Sequence, residues 1–208
     1  MITPFSLSEL EKDAISEVFN IGISRSASSL SEMVGKEVLL SVPKLSITEF
    51  STAVAELNYA AGQITGVLEE FDGSIAGNAF LLFPRDKTLE LMKLMYPPSM
   101  TEEMLLEMEE DTMTEIGNIL LNATLSSLSD ILEEKIHNQI PKAIRGSVQE
   151  FILSSDLAKS NHDHVLQMDL TMGIADANID GEVSFLVIIK SIENFKEKLT
   201  QYFGLPLD

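Results

Sequence analysis

Two stretches of the 208-residue chain carry the same three side chains at the same spacing. Asp13, Glu17 and Asn20 sit at i, i+4 and i+7, and Asp111, Glu115 and Asn118 repeat them 98 positions later. At about 100° per residue on a helix, such positions share one face within roughly 60°. That face carries carboxylates and, one turn further, a carboxamide. Neither group is a strong nucleophile, and no His or Lys shares the face to activate a serine. An amide does have donors and an acceptor with which to hold a water. A carboxylate one turn away can grip a cation on a partner. The set suits positioning, adding two groups to chemistry whose reacting centre lies elsewhere.

The elements that must present these faces are two long helices. Ser6 and Glu9 have capping-box spacing, and Leu10, Ala14, Val18 and Ile21 then recur at helical intervals, predicting a helix over about 7–34 that stops at Gly35. Thr101 can cap a second, over about 102–134. Between them the pattern predicts a strand over 37–42 interrupted by Pro43. Two more follow over 62–69 and 75–83 around the turn signal Asp72-Gly73, then a helix over 85–96 ended by Pro97-Pro98. The second cycle predicts strands over 144–153, 165–174 and 182–189, with a turn at 178–181, and a closing helix over 191–203. Pro43 and Pro141 are also 98 apart, so an internal duplication is expected. The fold class is α/β in the α+β sense. It is a tandem helix–three strands–helix unit with pseudo-two-fold symmetry, a largely antiparallel continuous sheet and two long helices side by side. The domain expectation is a single unit, 1–208, of two homologous halves, about 1–98 and 99–208.

Composition narrows the function classes. Fourteen Lys and Arg face 33 Asp and Glu, a formal net charge of −19. Such acidity argues against nucleic acid and against an anionic membrane surface as partners. Cys is absent, which removes disulfides, thiolate nucleophiles and thiolate metal sites. The first ten residues have no basic segment before an apolar one, so no signal peptide is expected, and no apolar run approaches spanning length. The expected location is the cytoplasm.

The repeated residues resemble the CheC/CheX/FliY family of bacterial chemotaxis phosphatases. The pattern Asp/Ser-x3-Glu-x2-Asn-x22-Pro is matched at Asp13, Glu17, Asn20 and Pro43, and again at Asp111, Glu115, Asn118 and Pro141. Two copies and this length resemble the two-site CheC type. The small-residue stretch common after the motif is kept in part at Asn20-Ile21-Gly22 and is replaced at Asn118-Ile119-Leu120-Leu121. The resemblance implies hydrolysis of the aspartyl phosphate on a CheY-like response-regulator receiver. Asn20 and Asn118 would orient the attacking water, while Glu17 and Glu115 would bind the receiver at its active-site Lys. Asp13 and Asp111 would support the face or contact the receiver. No cofactor would be bound by this chain, because the receiver supplies the Mg²⁺. The alternative is a non-catalytic adaptor that holds a phosphorylated receiver or a CheD-like deamidase.

Other features read more plainly. Pro43 and Pro141 fix the chain after each long helix. Gly22 and Gly117 permit either close approach of a partner or close helix packing. His162-Asp163-His164 has no further ligand cluster and reads as a solvated turn. The acidic run Glu102, Glu103, Glu107, Glu109, Glu110 and Asp111 suits a helix N-terminus. Met92, Met95, Met104 and Met108 are either core filler or an adaptable surface.

Overall fold

The computed structural model describes residues 7–56, 64–73, 75–146, 164–177, 179–189 and 192–204. The first long helix, α1, runs Glu9–Val34. Its N-cap is Ser8. The Ser8 hydroxyl accepts from the Glu11 N–H at 3.2 Å, and the Ser8 N–H donates to the Glu11 carboxylate at 2.7 Å. The capping box is thus one pair later than the Ser6–Glu9 spacing suggested, and Ser6 lies outside the described residues. Glu9 instead pairs with Lys12 across the exposed first turn. Gly35 ends the helix in the left-handed conformation, as expected.

Among the described residues of the first half there are four strands, not three. Pro43 cannot donate to a ladder, and it splits the expected strand into β1 (Val38–Leu40) and β2 (Lys44–Glu49). A short helix, α2 (Phe50–Glu56), follows, then β3 (Ile64–Gly73), β4 (Ile75–Pro84) and α3 (Arg85–Met95). The second long helix, α4, is Glu102–Leu132, with the Thr101 hydroxyl accepting from the Met104 N–H. Beyond it come β5 (Ile136–Asn138) and β6 (Lys142–Arg145), split around Pro141 in the same way. The rest of the expected 144–153 strand lies outside the described residues, as do His162 and Asp163, while His164 opens a strand. β7 (His164–Ile174), β8 (Asp180–Ile189) and α5 (Ile192–Phe203) complete the chain. Asp180 and Gly181 are not turn residues: they pair with Gly173 and Met172 inside the sheet. The bend lies just before them, where Asp176 has φ 58°.

Among the described residues every strand pairing is antiparallel. The order is β1-β7-β8-β4-β3-β5, with β2 also on β7 and β6 also on β3. Read from either edge, a pair of short strands meets a long strand and then its hairpin mate. The short strands cross over: β1 and β2 join the hairpin near the end of the chain, while β5 and β6 join the hairpin near its start. Alternation along β4 assigns the faces. Ala79, Leu81 and Phe83 belong to the main core beneath α1 and α4, whereas Phe80 and Leu82 belong to a smaller core with Ala53 and Val54 of α2.

A carboxylic acid interrupts the apolar face that β3 turns toward the main core. Glu69, between Val67 and Phe71 on the same face of β3, is fully buried, and neither carboxyl oxygen has a hydrogen-bond partner among the described residues. Loss of solvation pushes its carboxyl up to about 8, so it is protonated at neutral pH.

Candidate functional site

The two motif faces emerge from matched burial. Ala14, Ile15, Val18, Phe19 and Gly22 of α1 are buried, and so are Thr112, Met113, Ile116, Gly117 and Leu120, the residues 98 positions on in α4. With those positions turned inward, the remaining arc must face out. Asp13 and Glu17 are exposed and Asn20 is half-buried; Asp111, Glu115 and Asn118 repeat those three states. Each Asn therefore sits at the margin between solvent and protein, with its carboxylates further out.

The two glycines near the asparagines serve packing within the protein. A Cβ on Gly22 would stand 2.7 Å from the Thr124 Cα, so α1 and α4 touch backbone to backbone there. A Cβ on Gly117 would fall 2.8 Å from the Val67 side chain, so α4 lies directly on β3. These contacts hold the two faces side by side on one helical layer. Leu120, where the first half has Gly22, is fully buried in the main core.

Beyond the asparagines the copies differ. The Asn122 side-chain amide, one turn along α4, donates from Nδ2 to the Asn118 Oδ1 at 2.5 Å, and the Asn138 Nδ2 of β5 donates to the Asn122 Oδ1. The matching positions in the first half are Ser24 and Leu40. Asn122 and Asn138 do not recur at the offset of 98, so repetition in the sequence does not single them out. The signal available was a third amide at i+4 from Asn118.

The acidic start of α4 also divides. Glu102, Glu103, Glu107, Glu110 and Asp111 are exposed, but Glu109 is buried, bound to Arg145 at 2.8 Å and accepting from the Thr65 hydroxyl at 3.1 Å. It ties α4 to β3 and β6, and does not belong to a solvated charge run. Of the four methionines, Met92 is buried, Met95 packs partly buried against the main core, and Met104 and Met108 are exposed. Met108 and Leu10 are exposed apolar residues three positions before each motif Asp. Among the described residues no group of three or more His, Asp or Glu could hold a metal ion, and no helix is long and apolar enough to cross a membrane.

Comparison with known proteins is consistent with this arrangement. A model of the CheC-like family matches residues 10–47, which takes in the first motif from Asp13 to Pro43. The CheY-P phosphatase CheC of Bacillus subtilis (strain 168) is 24% identical over 139 residues; the match spans 65% of this chain and 66% of that protein, just under two thirds. The structure of Thermotoga maritima FliY superposes with a TM-score of 0.68 at 20% identity, covering 97% of this chain and all of that one. CheX from Borrelia burgdorferi, solved with CheY, BeF3 and Mg²⁺, gives 0.53 at 19% identity, covering 82% of this chain and 96% of that one. The chain thus matches the CheC-like family model over its first motif, repeats the Asp, Glu and Asn of that motif on α4, and shares the fold of FliY nearly end to end.

Proposed function

We propose that this protein hydrolyses the aspartyl phosphate of a CheY-like receiver, using two sites of the same design. The observation that carries the reading is the pair of matched faces, each an exposed Asp and Glu with a half-buried Asn one turn on. In phosphoryl transfer a protein mainly positions groups and stabilises charge, so an amide that places water in line is a sufficient contribution. Asn20 and Asn118 take that role. Glu17 and Glu115 bind the receiver at its active-site Lys, Asp13 and Asp111 add contacts, and Leu10 and Met108 offer apolar surface beside them. The name of the Bacillus relative and the CheX–CheY complex support the choice of partner. We read the chain as one domain of two homologous halves, about 1–98 and 99–208. The buried set behind each motif, repeated at the same offset, supports that reading.

The test is phosphate release from a purified phospho-receiver with this protein in trace amounts. More than one turnover per chain supports the phosphatase. Tight binding without turnover, to the receiver or to a CheD-like deamidase, would make the protein an adaptor.

Two further outcomes are expected. Replacing Glu17 or Glu115 by Lys sets a cation against a cation and should weaken receiver capture at that face. At saturating receiver the rate per complex should fall less than it does for the Asn variants. If saturation restores no rate, the binding role is wrong. The Mg²⁺ should arrive with the receiver, since each face offers too few hard oxygen ligands for a protein-only site. Calorimetry of the free protein should show no stoichiometric Mg²⁺ uptake that depends on Glu17 or Glu115.

A further inference from the structure

We propose that Asn122 and Asn138 are positioning residues for the second motif, holding Asn118 in one orientation through an amide relay that the first motif lacks. The proposal rests on the reading of Asn118 as the water-holding group and adds what sets its geometry.

The relay begins on the sheet. Asn138 is the last residue of β5, and its backbone is fixed by pairing with Phe71 of β3. The next residue is tied down as well, because the Gln139 N–H donates to the Glu70 carbonyl at 2.8 Å. β3 is the strand on which α4 rests, through Val67 against Gly117. Asn138 is therefore an anchor on the same rigid support that carries the motif helix. From there its amide donates to Asn122, and Asn122 donates to Asn118. The middle amide uses its acceptor toward the sheet and a donor toward the site. Turning all three amides over together reverses the direction and keeps the relay closed, so the restraint does not depend on which way each amide is assigned.

The consequence for Asn118 is geometric. The terminal torsion of a free Asn side chain is broad, so an amide at a protein surface samples many orientations. A group that must hold water in line with a phosphorus atom pays for that freedom at each encounter. Asn122 removes the freedom while occupying only one position on the Asn118 amide. An amide offers two donors and two lone pairs, so three remain for a water and a phosphoryl oxygen. In the first half, Leu40 has no side-chain donor or acceptor and Ser24 is exposed. The Asn20 side chain has no hydrogen-bond partner among the described residues. The two motifs thus share their reacting groups and differ in how firmly the amide is held.

The experiment isolates the second motif in an Asn20→Ala chain and adds Asn138→Ala or Asn122→Ser. With a phospho-receiver as substrate, kcat should fall about tenfold while KM stays within about twofold, because water placement suffers and receiver binding does not. In the free protein the side-chain amide resonances of Asn118 should shift on Asn138→Ala, because Asn138 reaches Asn118 through the Asn122 hydrogen bonds. Conversely, Ser24→Asn with Leu40→Asn, made in an Asn118→Ala chain, should raise the kcat of the first motif. Thermal unfolding of each variant separates these effects from loss of fold. An unchanged kcat in the isolated second motif, with Asn118→Ala still abolishing its turnover, would overturn the relay and leave the phosphatase reading standing. Full turnover in the chain lacking both Asn20 and Asn118 would overturn the underlying reading, and the relay's role with it.

Discussion

A chain with Asn20→Ala and Asn118→Ala together should release phosphate from a phospho-receiver close to the receiver's own rate. Losing a group that places water in line costs about 10²–10³ in rate at the affected site, and the double variant loses it at both. The single variants should behave differently. Each motif has its own Asp, Glu and Asn on its own helix, so removing one Asn leaves the other face complete. Asn20→Ala should keep the larger share of the activity, because the remaining Asn118 is held by Asn122. Asn118→Ala should keep the smaller share. The measurement is decay of phospho-receiver with all three variants, each checked for folding and for receiver affinity. Wild-type turnover in the double variant would remove the mechanism. A single variant as inactive as the double would show that the two faces do not act independently.

The second large effect concerns stability and centres on Glu69. Its carboxyl is raised to about 8 by burial, whereas an unfolded Glu titrates near the ordinary value of 4.5. Between those values the folded state holds a proton that the unfolded state has released. Stability must therefore fall as pH rises through that window, by up to about 1.4 kcal/mol per pH unit, and level off above it. Glu69→Leu removes the titrating group. Leucine also suits the position: Phe71 pairs with Asn138 as Met172 pairs with Leu40, which makes the core residue Leu170 of β7 the counterpart of Glu69. Urea unfolding should show the variant gaining on the wild type by about 2–3 kcal/mol between pH 6 and pH 8. The two proteins share every other titrating group, so the change in their difference belongs to Glu69. A difference that stays constant across that range would mean that Glu69 does not titrate there.

These results bear on what a sequence exposes to inspection. The motif faces were legible because the same three residues stand twice at one spacing, and a helix converts spacing directly into a shared face. The long helices and the central strands were legible because their periodicities are local, whereas Asp72-Gly73 and Asp180-Gly181, expected as turns, are paired strand residues. Pro43 marked an interruption, but whether it ended a strand or divided two depended on β7 being available to pair with both pieces. Glu109 read as one more charge in an acidic run, because its partner Arg145 is 36 positions away and arrives only when β6 docks on β3. Glu69 sat in a stretch recognised as a strand, yet its burial follows from α4 lying over that face. In each case the missing information was the identity of a distant partner.

The crossing of the short strands has a consequence for how this chain reaches its native state. Val38 pairs with Ile174 and Thr48 with Val165, so the strands that follow the first long helix wait for partners made near the end of synthesis. Pairings this remote slow folding, because the loop must close before the contacts repay it. During that interval β1 and β2 are unpaired ladder edges, the kind of surface on which aggregation starts. A fragment ending after α3 would keep its hairpin but lack both β7 for its short strands and β6 for its outer edge. Two such fragments could satisfy one another only by exchanging those strands, so the isolated first half should dimerise or aggregate before it folds as a monomer.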